Sequence, residues 1–143
     1  MAVEFIDVGN EPQLEKGHGK KVLSNSRSFH TWIHGDYAGD KGTMHKHSAD
    51  QTFYCIEGEC TFHFPDAASR RLTPGMLVHI EAGNFYQLEN TGTGPMVMMG
   101  TRTGPREANT HINFDTKTHL RHAKRPRGEK VDYGAVKTAR VGD

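Results

Sequence analysis

Turn-forming residues interrupt this chain so often that no long element has room to form. Gly35, Gly39, Gly42, Gly58, Pro65-Asp66, Pro74-Gly75, Gly83-Asn84, Asn90-Thr91-Gly92 and Gly94-Pro95 follow one another at short intervals. Between them lie brief runs rich in β-branched, aromatic and other apolar residues, the pattern of an all-β sandwich or barrel. Strands are expected over 28–34, 52–56, 60–64, 76–80, 86–89 and 96–101. Helix is expected to be scarce, because no apolar recurrence at three and four survives the Gly and Pro residues between 26 and 104.

With 143 residues the chain fits one domain, long enough to bury a core. The barrel is expected over 26–108. The polar, Gly-containing stretch 1–25 reads as an irregular arm with a short strand at 4–8, and 109–143 as a second irregular arm. The two arms are expected to cross between the subunits of a homodimer. Nearly equal acids and bases leave a formal net charge of +1, so no overall field steers nucleic acid or membrane to the molecule. The basic stretch from His119 to Arg127 has no interleaved aromatic until Tyr133, and Pro126 with Gly128 spoils a helical stripe; nucleic-acid binding is not expected. No apolar run is long enough to span a bilayer, and the first residues lack the basic and apolar regions of a secretory signal. A soluble, cytoplasmic protein is the expectation.

Cys55 and Cys60 are too few for a disulfide framework. Were Glu57-Gly58 a two-residue turn, the two would face each other across a hairpin within bonding range. Free thiols serving as small core residues are the preferred reading.

The residues that carry chemistry are ordered by spacing. Gly39 is followed after five residues by His45-Lys46-His47, after three more by Gln51 and after six more by Gly58. Further on, Gly75 is followed after five residues by Glu81-Ala82-Gly83, after two by Tyr86 and after three by Asn90. On a strand, residues two apart share a face, so His45 and His47 present both imidazoles to one space while Lys46 points away. Gln51, Phe53 and Cys55 would share the inward face of the next strand, and Tyr86 would close the far side. Imidazole pairs of this kind suit Zn, Fe, Ni, Mn or Cu. His63 and His79 fall on the outward phase of their strands. His30, Trp32 and His34 alternate on an earlier strand, where one set lines either the pocket or a dimer seam.

This spacing resembles the paired motifs of the cupin superfamily, small single-domain barrels of the double-stranded β-helix or jelly-roll type, over roughly 28–104. The family pattern has Glu at position 51, Pro at 81 and His at 86, where this chain has Gln51, Glu81 and Tyr86. The resemblance implies one divalent metal, Zn, Fe, Mn or Ni, held by His45, His47, Gln51 and Tyr86. An amide oxygen binds a cation less strongly than a carboxylate, and a phenol ligates well only after losing its proton, so a weakened site is expected. Some relatives use Gln at this position. In some dimethylsulfoniopropionate lyases of the family a tyrosine near the metal is the proposed base, which implies that Tyr86 is a ligand or a proton acceptor. A core aromatic at Tyr86 and a buried hydrogen-bonding residue at Gln51 remain the alternatives. Arg102 and Arg106 follow the last strong strand, and in related cupins the corresponding stretch runs over the pocket mouth. A guanidinium there would grip a carboxylate in bidentate fashion, and a solvated loop arginine is the competing reading.

Three functions compete. The first is a metal-dependent lyase or isomerase acting on a small anionic substrate, with Tyr86, Arg102 and Arg106 as catalytic residues. The second is a dioxygenase, although Gln51 breaks the set of two His and one carboxylate typical of non-haem iron. The third is a metal-free binding module or sugar isomerase relative. Fold alone does not choose among them.

Overall fold

The computed structural model describes residues 3–8, 19–117, 119–121 and 130–131. Twelve strands run in the order β1 (Gly19–Asn25), β2 (Phe29–Asp36), β3 (His45–His47), β4 (Gln51–Glu57), β5 (Cys60–His63), β6 (Arg70–Leu72), β7 (Leu77–Ile80), β8 (Gln87–Glu89), β9 (Met96–Thr103), β10 (Thr110–Asn113), β11 (His119–Arg121) and β12 (Lys130–Val131). One six-stranded sheet has the order β12-β1-β2-β9-β4-β7, and two three-stranded sheets have the orders β11-β10-β3 and β6-β5-β8. Every strand pair is antiparallel. The two smaller sheets meet where His45 and Tyr86 exchange backbone hydrogen bonds of 3.0 and 2.9 Å, so together they form the layer facing the large sheet. The only helical element among the described residues is a single 3-10 turn, Arg106–Ala108.

Alternation of side chains builds the interior. On β4, Gln51, Phe53 and Cys55 are buried while Tyr54 and Ile56 are exposed; on β9, Met96, Met98, Gly100 and Arg102 are buried and their neighbours less so. The core joins Trp32, Phe53 and Met98 of the large sheet to Phe62, Leu72 and Leu88 of the other layer. Apolar area removed from water in this way, worth roughly 25 cal/mol per Å², is what holds two layers together.

Two glycines are demanded by geometry. Gly58 has φ +73° at the corner after β4, and a Cβ there would collide with the Pro95 carbonyl oxygen and lie 2.9 Å from Met96 Cα. Gly100 stands opposite Trp32 in register, and a Cβ there would collide with three atoms of the indole ring; the missing side chain leaves the space the ring needs.

Several expectations are corrected. Residues 3–8 contain no strand. Gly19–Asn25, within the stretch assigned to an irregular arm, is a strand paired with β2 from Gly19↔Gly35 to Asn25↔His30. Thr110–Asn113, within the other, pairs with β3. Cys55 and Cys60 do not face each other in a hairpin: Cys55 pairs with Met98 and Cys60 with Leu72, in different sheets, because the chain at Gly58 crosses from one layer to the other. Both are buried free thiols, as preferred from the sequence. The expected arm segment 9–18 and most of the basic stretch, 122–127, lie outside the described residues, and so does the expected crossing of arms.

Candidate metal and substrate site

β3 brings His45 and His47 to the inner face, and their Nε2 atoms are 2.9 Å apart. The Nδ1 of His45 lies 2.8 Å from the Thr43 carbonyl oxygen. A carbonyl only accepts, so this nitrogen carries the ring proton and Nε2 presents a lone pair. Burial, with His111 next, pulls the pKa of His45 down from 6.5 to about 3, against the Thr43 hydrogen bond. The neutral form is the one that binds a cation.

β10 adds residues that the motif spacing did not reveal. His111 stands opposite His47 in register, and its ring centroid lies 5.1 Å from that of His45 and 4.9 Å from that of His47. Asn109, buried, places Oδ1 at 3.3 Å and Nδ2 at 3.2 Å from His47 Nδ1. The signal for both was the alternation Asn109, His111, Asn113, a polar inner face with period two.

Tyr86 joins the histidines to a second group. Its ring is 4.7 Å from His45 and 6.0 Å from His47, and its hydroxyl donates to Gln51 Oε1 across a long 3.5 Å. The same oxygen accepts from Arg102 Nε at 2.6 Å. Gln51 and Arg102 are partners in register across β4 and β9. The guanidinium also lies 4.3 Å from the Trp32 ring centroid, a cation over an aromatic face. Burial raises the Tyr86 pKa, while Arg102 and the hydrogen bond to Gln51 pull the other way; the net result keeps the phenol protonated.

Arg102 is therefore not on a loop over the pocket mouth: it is the inward residue of β9, only 4% exposed. Arg106 opens the 3-10 turn and is buried as well, with its backbone N–H donating to Asn25 Oδ1 at 2.9 Å. His30 and His34 are buried beside Trp32. His34 Nδ1 accepts from Trp32 Nε1 at 2.9 Å, and His30 stacks on Trp32 at 5.4 Å. His63 and His79 are outside the core, with His63 bonded to Ser69 and Glu89 at 2.7 Å each.

Two imidazole nitrogens about 2.05 Å from one ion are about 3.3 Å apart in a tetrahedral set and about 2.9 Å apart at the right angle of an octahedral one, and the His45 to His47 separation is the second. The pair fits a cation. Among the described residues no group of three or more His, Cys, Asp or Glu is placed to hold a metal ion, so the remaining positions would fall to Gln51 or Tyr86, or to water and substrate. A groove of about 640 Å³ opens elsewhere, along Phe64, Val78, Ile80, Glu81 and Phe85, and takes in none of these donors.

Comparison with known proteins fits this architecture. Residues 36–101 match the family model of the cupin domain. A protein with a double-stranded β-helix domain from Klebsiella pneumoniae superposes with a TM-score of 0.63 at 16% identity, covering 75% of this chain and 95% of that one. A sugar phosphate isomerase of the cupin superfamily from Silicibacter pomeroyi gives 0.59 at 19% identity, covering 78% and 70%. DMSP lyase DddQ from Ruegeria pomeroyi gives 0.56 at 22% identity, covering 65% of this chain but 46% of the lyase. No curated protein sequence matches the chain. At these identities the likeness to solved structures is one of fold, the double-stranded β-helix, and residues 36–101 of this chain resemble the cupin domain.

Proposed function

We propose that this protein is a metal-dependent cupin enzyme of lyase or isomerase type, with one divalent cation on His45 and His47, completed by Gln51, Tyr86 or water, and a small carboxylate as substrate. The observation that carries the reading is the pair of Nε2 atoms 2.9 Å apart on one buried face. When bound, such an ion polarises a coordinated oxygen and makes a neighbouring C–H bond more acidic.

The chain's own residues divide the remaining work. Arg102 is a buried cation whose planar fork suits a carboxylate, and its Nε is fixed by Gln51. Tyr86 lies between the imidazoles and this guanidinium. A substrate bound across the two groups would meet its hydroxyl, which gives its proton in the resting state and takes one only as the phenolate, a form that the charge of Arg102 favours. Arg106, buried and near enough to act on His30 by its charge, is assigned to shaping the anion site. Gln51 as a ligand requires its oxygen to exchange Arg102 for the ion, so substrate and metal would compete for one hydrogen-bonding network. A homodimer belongs to the same proposal, supported by the exposed Tyr54, Ile56 and Leu77 on β4 and β7, and so does a reducing compartment, supported by the two free thiols.

The deciding experiment is elemental analysis of protein purified without chelator or metal-binding tag, alongside the His45→Ala, His47→Ala double variant. Close to one equivalent of metal in the wild type and almost none in the variant is expected. Absence of metal from both would overturn the proposal in favour of a metal-free binding module.

A further inference from the structure

His45 and His47 constrain one another's protons. Since His45 gives its Nδ1 proton to the Thr43 carbonyl, its neutral ring has only a lone pair at Nε2. The 2.9 Å contact between the two Nε2 atoms is then a hydrogen bond in the metal-free protein only if His47 supplies the proton from its own Nε2. A neutral His47 protonated at Nε2 has a bare Nδ1, which needs a donor. A cation bound at Nε2 reverses the requirement: Nε2 must be bare, the proton sits on Nδ1, and Nδ1 needs an acceptor.

The partner of His47 Nδ1 answers both needs. Asn109 is 2% exposed, and its backbone N–H donates to the Arg106 carbonyl oxygen at 3.2 Å. Its carboxamide places Oδ1 and Nδ2 almost equally far from Nδ1, at 3.3 and 3.2 Å. Rotation about the last side-chain bond exchanges acceptor for donor with almost no change of shape. A carboxylate would only accept, and a lysine only donate.

We infer that Asn109 is a positioning residue that turns over with metal occupancy, donating Nδ2–H to His47 in the metal-free protein and accepting Nδ1–H through Oδ1 when a cation takes His47 Nε2. The His47 proton moves from Nε2 to Nδ1, so the ring gains and loses none and filling the site releases no proton from His47. This inference rests on the metal reading of the His45 and His47 pair.

Its test reads the tautomer directly, by long-range ¹H–¹⁵N NMR of the full chain, with the His47 signal assigned through His47→Gln. The probe is Zn²⁺. The metal-free protein should show His47 protonated at Nε2, and addition of Zn²⁺ should move the proton to Nδ1. Asn109→Asp should hold the Nδ1–H form with or without metal and bind Zn²⁺ at least several-fold more tightly, whereas Asn109→Leu, of similar size with neither group, should bind it about 10- to 100-fold more weakly. Circular dichroism checks that the variants fold. Zn²⁺ binding with no change of tautomer would overturn the turnover of Asn109 and leave the metal reading intact. An Nε2-protonated His47 together with no Zn²⁺ binding would overturn the metal reading and this inference with it.

Discussion

Trp32 and Gly100 are opposite one another in register and closely coupled. A Cβ on residue 100 would clash with the indole, and the same ring carries the Arg102 guanidinium at 4.3 Å from its centroid, so one ring supports the buried cation. Gly100→Ala should destabilise the fold by about 1–3 kcal/mol, the usual cost of overpacking, and displace Arg102; urea unfolding measures the first effect. His30 gives a pH signature from the same neighbourhood. Burial, then Arg102, with Lys20 and Arg106 adding to it, lowers its pKa from 6.5 to about 4, against the hydrogen bond to the Gly104 carbonyl. Between these values the unfolded chain holds a proton that the folded chain does not. Stability contributed by neutral His30 is therefore complete above pH 6.5 and falls on acidification toward pH 4, by up to about 1.4 kcal/mol per pH unit. His30→Gln should flatten that part of the stability curve, measured by urea unfolding at a series of pH values.

β3 has only three residues, His45–His47, and cannot hold two imidazoles in place alone. It is clamped on one side by the backbone pair His45 and Tyr86, and on the other by β10, where His111, Ile112 and Asn113 oppose His47, Lys46 and His45. The Phe114 N–H to the Met44 carbonyl at 2.8 Å and the Ser48 N–H to the Thr110 carbonyl at 2.9 Å close the ladder at both ends. A chain ended after Ala108 loses this clamp together with Asn109 and His111. It should unfold at a lower temperature and retain much less metal than the full chain, by thermal unfolding and elemental analysis. The pairing of His45 and His47 on one face was legible in the sequence because period two needs only that the segment be a strand. The role of β10 was not, because its contact with β3 joins residues more than 60 positions apart, and Thr110–Asn113 has no apolar run to mark it as a strand.

Taken whole, the molecule is two antiparallel layers with a mixed interior: apolar toward Phe62 and Leu88, polar toward the histidines. The thiols lie at the apolar end. Burial raises the pKa of both Cys55 and Cys60, which keeps them protonated and poorly reactive. An aromatic disulfide reagent should titrate both at once in denaturant and only slowly in the native protein. Finding no thiol in denaturant would contradict the free state. Among the described residues no helix is long and apolar enough to cross a membrane.

Frequent turns, alternating apolar residues and the positions of Gly39, Gly58 and Gly75 carried the all-β architecture and the cupin resemblance, because these are local properties of the backbone. The hairpin imagined for Cys55 and Cys60 shows where local reasoning stops: a sharp turn at Gly58 is written in the residues, but whether the chain turns back or crosses to the other layer depends on Pro95 and Met96 packed against it. Likewise Gln51 and Tyr86 were readable as inward residues, while the Arg102 guanidinium that binds the one and faces the other came from the register of β4 on β9. Periodicity sets which face a side chain takes. Which side chains then meet is decided by pairing distant strands, and hydrogen bonds and charges act only over the few ångströms that pairing sets.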